Sequence, residues 1–540
     1  MVRRIFHGVL ALFVALLVLP KLPLSYADDL HCVWAVKDTK IMTLTGPPVE
    51  KGTLVIRNGL IEACGVNISI PQDAEVIDGS KLIIYPGFTD SLGQSLLKLP
   101  EEKFSMEKLY SGDFDEKDRG VTPHLKAFDY VNLSKGTLEK YYKYGFTAAQ
   151  VTPDRGMITG QSSIFCLSDP DKNKALFLKD VCLGIGFSPS NFLMYPNSLM
   201  GVQSYLKQAF TDVAYFDSEG ARWFKEMKGQ TRPEYNANFD AMADYATGKK
   251  PVIFFCRNQY DIRRALTLAA DFKLNYFICD LGSEAFEVIP ELKSAKARVL
   301  CTVAFKAPGT SIYAQRGKEE RERAEKEIYP KNPAKLAEAG IPFAFSSLGT
   351  DDPKSFLEGI QKAIDAGLTK EKALEALTRN PAVFFGIDKA LGTIEQGKVA
   401  NVILTEGEVF TKESKVRYAF ADGRKFDLKE VAAKEGEKPT VNVSGKWDIS
   451  IEGQVGMKVT LELAQEEAAL SGKLVTPFGA FDFSGGIVSG SDVSFEITLS
   501  LAGQEIDLFF SAAVEGDTMR GTVVQGAEGS AEFTAKRIPG

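Results

Sequence analysis

Histidine is almost absent from this 540-residue chain, which contains only His7, His31 and His124. Neutral imidazole is the commonest ligand of catalytic zinc, and hydrolytic zinc sites use two or three of them. His7 lies in a segment that we expect to be removed, so two remain in the mature chain. The composition therefore argues against a zinc centre built from several histidines.

An excess of basic charge is also absent, since the net charge is −7. Nucleic-acid binding requires a basic face, so we expect no nucleic-acid partner. No stretch after residue 27 is both long and apolar enough to span a membrane, which takes about 20 residues. Nothing in the mature sequence thus indicates a membrane or nucleic-acid protein.

The first residues, "MVRRIFHGVLALFVALLVLPKLPLSYADD", have the pattern of a secretory signal. Two arginines precede a short apolar run, and small residues follow before the acidic pair. We predict a signal peptide over residues 1–27 and a periplasmic or secreted mature protein. A retained membrane anchor is the alternative.

Seven cysteines follow residue 27, and most lie in apolar runs such as "VIFFC". We interpret them mainly as small buried residues, although an exported compartment permits one disulfide of unassigned pairing. Cys256, Cys279 and Cys301 come near the ends of three successive predicted strands, where three thiolates could bind zinc. A one-residue offset reverses the face of a strand, so we favour a packing role.

The pattern of apolar residues predicts several domains. Residues 28–85 read as short strands with a hairpin turn at "RNG", and 391–428 return to the same pattern. We expect the two to form one composite β-sandwich domain. Between them, residues 86–390 alternate strands and amphipathic helices, which predicts an α/β fold with a TIM-like (β/α)8 barrel. After a linker at 429–439, residues 440–540 predict a C-terminal all-β domain, lipocalin-like or a sandwich.

Four stretches resemble the amidohydrolase superfamily, particularly its imidazolonepropionase-like and periplasmic branches. They are "GTLVIRNGLIEACG…EVIDGSKLIIYPGFTDS", "YGFTAAQVTPDRGMITGQSSIFCLS", "PVIFFCRNQYDIRRALTLAADFKLNYFICDLGSEA" and "AGIPFAFSS…GLTKEKALEALTRNPAVFFGIDKALGTIEQGKVANVIL". The resemblance covers roughly residues 50–425. It implies a barrel with a composite β domain and metal-dependent hydrolysis of non-peptide C–N bonds, in which a divalent metal activates water.

The residues at the family's metal-ligand positions depart from this pattern. The resemblance implies a His-x-His pair after the first-strand aspartate, histidines on strands five and six, and an aspartate on strand eight. Asp90 matches the first-strand aspartate. The ligand positions fall on Leu92 and Gln94, Phe255 or Cys256, Asp280 or Leu281, and Ser347 or Leu348. Leucine and phenylalanine have no lone pair, so the usual site cannot assemble.

Other polar residues are candidates for a different site. Asp90, Asp280 and Asp351 could act as acid and base without a metal, although "TDDP" also reads as a helix start. The loop "TPDRGMITGQS" could bind an anion or simply be a demanding turn. Candidate ligand-binding residues at the predicted barrel mouth are Arg155, Gln161, Arg257, Asn258 and Lys306.

The sequence therefore predicts a superfamily member with a degenerate metal site, weakly active or inactive as a metallohydrolase. The alternative is a non-catalytic protein that binds a small molecule or a partner through the barrel mouth. We expect no cofactor, although the family uses zinc or another divalent metal. Expected partners are a small-molecule ligand and a second copy of the chain or a paralogous amidohydrolase.

Overall fold

The computed structural model describes most of the chain after the predicted signal peptide. The described residues are 32–100, 108, 111, 114–188, 195–305, 318–350, 352–411, 414–428, 438–451, 459–477, 479–501, 504–525 and 529–538. Residues 1–27, His31, Lys306 and Asp351 lie outside them. The chain divides into two compact units, one from Asp28 to Leu428 and one that contains Lys429–Gly540.

The first unit contains both strands and helices. Its strands are β1 (Val33–Ile41), β2 (Val49–Arg57), β3 (Leu60–Gly65), β4 (Ala74–Asp78), β5 (Leu82–Pro86), β6 (Phe88–Asp90), β7 (Phe146–Val151), β8 (Ile158–Gln161), β9 (Ser163–Cys166), β10 (Leu176–Leu178), β11 (Leu183–Gly186), β12 (Val252–Cys256), β13 (Tyr276–Asp280), β14 (Val299–Thr302), β15 (Phe343–Ser346), β16 (Val402–Glu406), β17 (Lys415–Ala421) and β18 (Arg424–Asp427). Its helices are α1 (Ala127–Tyr130), α2 (Lys135–Lys143), α3 (Lys172–Ala175), α4 (Leu199–Lys225), α5 (Ala237–Ala246), α6 (Gln259–Phe272), α7 (Ile289–Ser294), α8 (Lys318–Arg323), α9 (Asn332–Glu338), α10 (Pro353–Asp365), α11 (Lys370–Leu377) and α12 (Arg379–Phe384).

One sheet combines strands from both flanks of the unit. Its order is β18-β17-β16-β5-β1-β2-β3, with β4 paired to β1. Strand β16 runs antiparallel to β5, so that Val402 lies opposite Pro86 and Glu406 opposite Leu82. The β2–β3 turn has positive φ at Asn58 (50°), which is the hairpin geometry that "RNG" favours.

The central part of the unit is mixed α/β, as the alternating pattern predicts. A sheet of order β15-β14-β13-β12-β11-β8 is parallel from β11 to β15, and a second sheet has the order β10-β9-β7-β6. Strand β8 is antiparallel to β11, and β9 is antiparallel to β7. The segment 158–166 thus belongs to both sheets, with Ser162 between its two strands.

Alternate residues of these strands belong to two different hydrophobic clusters, because successive side chains of a strand point to opposite faces. On β12, Phe254 and Cys256 belong to an outer cluster that also contains helix residues such as Ile262 and Leu268. The inner cluster is a separate set. It consists of Leu92, Ala148, Ile164, Cys166, Cys182, Ile253, Phe255, Phe277, Cys279, Leu300, Ala344, Leu348, Ala382, Phe384, Phe385, Ile387 and Leu391.

The second unit is all-β in its described part. Its strands form a closed antiparallel barrel: β19 (Gly445–Ile451), β20 (Val459–Glu466), β21 (Ala469–Thr476), β22 (Gly479–Ser489), β23 (Asp492–Leu501), β24 (Gln504–Glu515), β25 (Thr518–Gln525) and β26 (Gly529–Arg537). Its interior holds a packed row of aromatic rings, with Phe495 stacked 4.6 Å from Phe483 and 4.9 Å from Phe510. Side chains therefore fill the barrel.

Trp447 is a fully buried side chain of this second core. Its indole N–H donates to the Val443 carbonyl at 2.8 Å. The guanidinium of Arg537 lies 4.4 Å from the centre of its ring. Trp447 therefore combines apolar packing, a hydrogen bond and a cation–π contact at one position.

The structure gives two further results for the sequence predictions. Within the residues that it describes, no helix combines the length and the apolar character that a membrane span requires. All seven cysteines are unpaired, and five of them, Cys166, Cys182, Cys256, Cys279 and Cys301, are buried.

We expect Trp447→Ala to destabilise the second unit by about 3–5 kcal/mol, because it removes a large side chain from a packed core. Calorimetry on the full chain should show a lower unfolding temperature for that unit alone, since its cluster contains only residues 443–535. Replacing the exposed Phe509 by alanine is the matched control. An equal loss of stability in the first unit would contradict this prediction.

Candidate functional site

The ends of β6 and β15 meet through Asp90 and Ser347. The carboxylate of Asp90 accepts hydrogen bonds from the backbone N–H groups of Leu92 (3.1 Å) and Ser347 (3.0 Å), and from the Ser347 hydroxyl (2.5 Å). The Ser91 N–H also donates to the Phe345 carbonyl at 3.2 Å. Asp90 is completely buried, so all of its bonding is internal.

Burial also changes the protonation of Asp90. Removal from water raises the pKa of this carboxyl to about 6, and the hydrogen bonds from Ser347 and Leu92 oppose the rise. No positive group is among the causes of the shift. The desolvation penalty on the charged form is therefore offset only by neutral donors.

Three of the positions that would carry metal ligands by resemblance lie in the inner cluster. They are Leu92, Phe255 (with Cys256 as the alternative at its position) and Leu348 (with Ser347 as the alternative), and their exposed fractions are 0%, 5% and 7%. Leu92 follows β6, Phe255 is on β12 and Leu348 follows β15, so three separate strands contribute apolar side chains to one packed region. These side chains can exclude water, but they cannot coordinate a cation.

Gln94, which lies at another of the family's metal-ligand positions, has a polar environment. Its side-chain amide lies close enough to the carboxyl of Asp154, which follows β7, to act on the pKa of that carboxyl. The Gln94 carbonyl oxygen is buried and has no partner among the described residues. Burial raises the pKa of Asp154, while Gln94 and the charge of Arg155 act in the opposite direction. A carboxyl and an amide carbonyl thus lie together beside the apolar region.

The glycine-rich loop after β7 is conformationally demanding. Gly156 has φ +102°, and a Cβ there would lie 2.5 Å from the Gly120 carbonyl oxygen; Gly160 has φ +122°, and its Cβ would lie 2.6 Å from the Leu125 carbonyl oxygen. Both positions therefore require glycine. Arg155, between Asp154 and Gly156, is exposed.

Gln161, at the end of β8, forms hydrogen bonds within the protein through both the nitrogen and the oxygen of its side-chain amide. It is nearly buried, and its amide N–H donates to the Pro123 carbonyl at 3.0 Å. The hydroxyl of Tyr245 donates to its carbonyl at 3.4 Å. The structure therefore places Gln161 in a local network that holds the loop.

Asp280 lies on the outer face of β13 and is separate from Asp90. Its carboxylate accepts from the N–H groups of Glu284 (3.1 Å) and Ala285 (2.9 Å) and from the Asn332 side chain (2.9 Å). It is fully buried, and desolvation raises its pKa to about 6. This bonding fixes the turn after β13 and its contact with α9.

Arg257 and Asn258, at the end of β12, both bond to nearby parts of the chain. The Arg257 guanidinium donates to the Asp261 carboxylate at 3.2 Å and to the Phe187 carbonyl at 3.3 Å. The side-chain oxygen of Asn258 caps α6, with hydrogen bonds from the N–H groups of Tyr260 and Asp261, both at 3.0 Å. Arg257 is the more available of the two, because 41% of its side chain is exposed.

The three strand cysteines do not share one face. Cys256 and Cys301 belong to the outer cluster, whereas Cys279 belongs to the inner cluster. Burial raises the pKa of all three thiols well above the usual range. Within the described part of the chain, no three His, Cys, Asp or Glu side chains are grouped so that they could hold a metal ion.

Two residues that sequence reasoning missed are central to this region. Asp154 is the first carboxylate after β7, and its position at a strand end is the signal that could have identified it. The resemblance places Ser347 at the position of the family's strand-eight aspartate and gives it no role of its own. In the structure its hydroxyl donates to Asp90, a residue 257 positions away in the sequence. Asp352 caps α10 by accepting from the Ser355 N–H at 2.7 Å, as "TDDP" indicates. Lys306 and Asp351 lie outside the described residues.

Comparisons with known proteins agree on one superfamily. The model of the Amidohydrolase family matches residues 312–446. An adenine deaminase of Archaeoglobus fulgidus is 31% identical over 107 residues, which are 20% of this chain and 18% of that protein. The chain thus spans less than a fifth of the length of this curated relative.

A solved structure covers far more of the chain. The amidohydrolase from Thermotoga maritima MSB8 is 25% identical, with a TM-score of 0.62 over 73% of this chain and 99% of that one. This likeness supports an amidohydrolase-like fold with mixed α/β content. The chain is thus similar to amidohydrolases in sequence over residues 312–446 and in fold over 73% of its length.

Proposed function

We propose that this chain is a superfamily member with a degenerate metal site, which does not act as an ordinary metallohydrolase and instead uses the mouth of its barrel for binding. The observation that carries the proposal is the inner cluster. Leu92, Phe255 and Leu348 lie in it at positions that would carry ligands in the family. Residues that pack against one another in an apolar core leave a cation neither donors nor space.

The family typically uses divalent metals, and the residues at the ligand positions do not fit one. Leu92 and Phe255 have no lone pair, and Gln94 supplies one neutral carbonyl. The partners of Asp90 support the same conclusion, because a serine and two backbone N–H groups satisfy its carboxylate. A buried carboxylate whose oxygens already accept hydrogen bonds from the protein is not available to a substrate.

We also propose that the two α/β sheets form one barrel of the (β/α)8 type. The bond from Ser91 to Phe345 links β6 to β15, and the Asp90–Ser347 pair lies beside it. The segment 158–166 links the sheets on the other side, with its strands running against the direction of the others. In this proposal the barrel spans residues 86–390.

The binding role has a specific chemical environment to support it. Asp154 and Gln94 lie together, and the carbonyl of Gln94 has no described partner. With the exposed Arg155 beside them, they favour a small polar ligand over an apolar one. Export to the periplasm or the cell exterior, and a paralogous partner that supplies catalysis, are parts of the same proposal.

We expect purified protein, after incubation with zinc or manganese and removal of free ions, to contain far less than one metal per chain. Elemental analysis measures this directly. Assays with amide, cyclic-imide and aminopurine substrates should show no turnover that a chelator abolishes. A stoichiometric metal, together with chelator-sensitive hydrolysis, would contradict the proposed function.

We expect Leu92→Ala to destabilise the first unit by about 2–5 kcal/mol, because Leu92 packs in the inner cluster and its removal leaves a cavity. Urea unfolding measures the change. Leu60→Ala is the matched control, since Leu60 is 44% exposed and should change stability by at most about 0.5 kcal/mol. Equal effects of the two substitutions would indicate that Leu92 borders an open pocket.

We expect Asp90→Asn to change the pH dependence of stability. The folded pKa of Asp90, about 6, lies above its ordinary value of 3.8. The native state therefore binds more protons than the unfolded state between these values, and stability falls as pH rises through this window. Relative to Asp90→Asn, the native sequence should lose about 2 kcal/mol between pH 4 and pH 7.

Unfolding by urea across this pH range tests the sign and size of the effect. Asp280 is present in both proteins, so its own titration cancels in the difference. The exposed Asp240, replaced by asparagine, is the control and should leave the pH slope unchanged. A difference between Asp90→Asn and the native sequence that is constant with pH would show that Asp90 is not buried as an acid.

A further inference from the structure

Helix α4 is longer than the core that it covers. It contains 27 residues from Leu199 to Lys225, which corresponds to about 40 Å at 1.5 Å per residue. Its buried residues, Val202, Leu206, Phe210 and Val213, all lie in the first fifteen positions. They form one stripe at helical spacing and belong to the outer cluster.

The same stripe continues along the second half of α4, past Val213, the last residue of this helix that belongs to the outer cluster. Phe216 still packs on Phe239 of α5, with ring centres 5.6 Å apart. Beyond it, the ring of Trp223 lies 5.1 Å from the ring of Phe224 and 5.9 Å from the guanidinium of Arg232. We name residues 214–236, the end of α4 and its return to α5, the arm.

The arm exposes large apolar side chains to an unusual degree. The exposed fractions are 65% for Tyr215, 73% for Phe224, 52% for Met227 and 75% for Tyr235. Single exposed apolar residues are common, but several on one projecting segment mark an interaction surface. Gly220, on the same stripe, has nothing within 4 Å of its Cβ position, so another backbone could approach closely there.

The charges of the arm are separated along its length. Residues 214–219 contain two acidic residues and no basic one, whereas 222–236 contain four basic residues and two acidic. A second arm in antiparallel orientation would bring each acidic block against a basic block. The midpoint between the blocks falls near Ala221, which is next to Gly220.

We propose that the arm is a self-association surface, on which a second copy of this chain packs its own arm in antiparallel orientation about a twofold axis. Such an isologous contact buries the same patch on both copies. The charge pattern favours this occupant over an anionic membrane, because a membrane would repel the acidic block. The surface is independent of the barrel mouth and of the proposed function.

Sedimentation of the full chain, with the signal peptide removed, tests the proposal from about 1 to 100 µM, the range expected for an interface of modest area. We expect a monomer–dimer equilibrium for the native sequence. Phe224→Ser should weaken it at least tenfold. Met200→Ser is the matched control, since Met200 lies on the same helix, 79% exposed but outside the arm, and should leave the equilibrium unchanged.

A charge-swap pair tests the orientation. We expect the variant Asp217→Lys/Glu219→Lys and the variant Lys225→Glu/Lys228→Glu each to be monomeric, because each arm then carries a large excess of one sign of charge and the facing blocks repel. Mixing the two should restore a dimer that contains one of each. Circular dichroism confirms that each variant is folded before it is scored.

Cross-linking provides a measurement that does not depend on disruption. Under mild oxidation, Ala221→Cys should give a disulfide-linked dimer, whereas Ala214→Cys should not, because two copies of residue 214 would lie about 20 Å apart along the helices. A native chain that is monomeric throughout the concentration range would overturn the proposal. So would dimers that persist in Phe224→Ser, or an arm that binds anionic vesicles while the chain stays monomeric.

Discussion

The packing of apolar side chains between the strand ends is the constraint on which the rest of this region depends. Leu92, Phe255 and Leu348 come from three strands and lie in one buried cluster. Coordination of a cation needs lone pairs and room for an ion, whereas a well-packed core provides dispersion contacts and excludes water. The same positions cannot satisfy both requirements, so the chemistry of the region follows from which residues occupy them.

This packing changes the electrostatics of the acids around it. A carboxylate near a divalent ion is stabilised by the charge of the ion, but Asp90 has only neutral donors. Its raised pKa is the expected result of burial without a compensating cation. Asp280 shows the same effect on the outer face of β13, where backbone N–H groups and Asn332 donate to it. Both acids join segments that are distant in sequence.

Sequence reasoning predicted the α/β core and the superfamily, because strand and helix periodicities and the motif around "LGTIEQGKVANVIL" are local signals. The pairing of β16 with β5 could also be anticipated, since both segments carry the same alternating pattern. The sequence could not predict on which face of a strand each side chain lies. Asp280 and Cys279 are neighbours in sequence, yet one bonds to Asn332 and the other packs in the inner cluster. A strand reverses the direction of its side chains at every residue, so an error of one position exchanges the two roles. The Asp90–Ser347 contact has no local signal, because it forms only when the first and last strands of the sheets meet.

The buried, unpaired cysteines have a consequence for how the chain would respond to oxidising conditions. The pKa of Cys166 and Cys182 rises to about 12, so the native protein contains very little of the thiolate that attacks disulfides. In the unfolded chain the same sulfurs are accessible and ionise far more readily. Vulnerability of these two thiols to mispairing is thus confined to states in which the core is not formed.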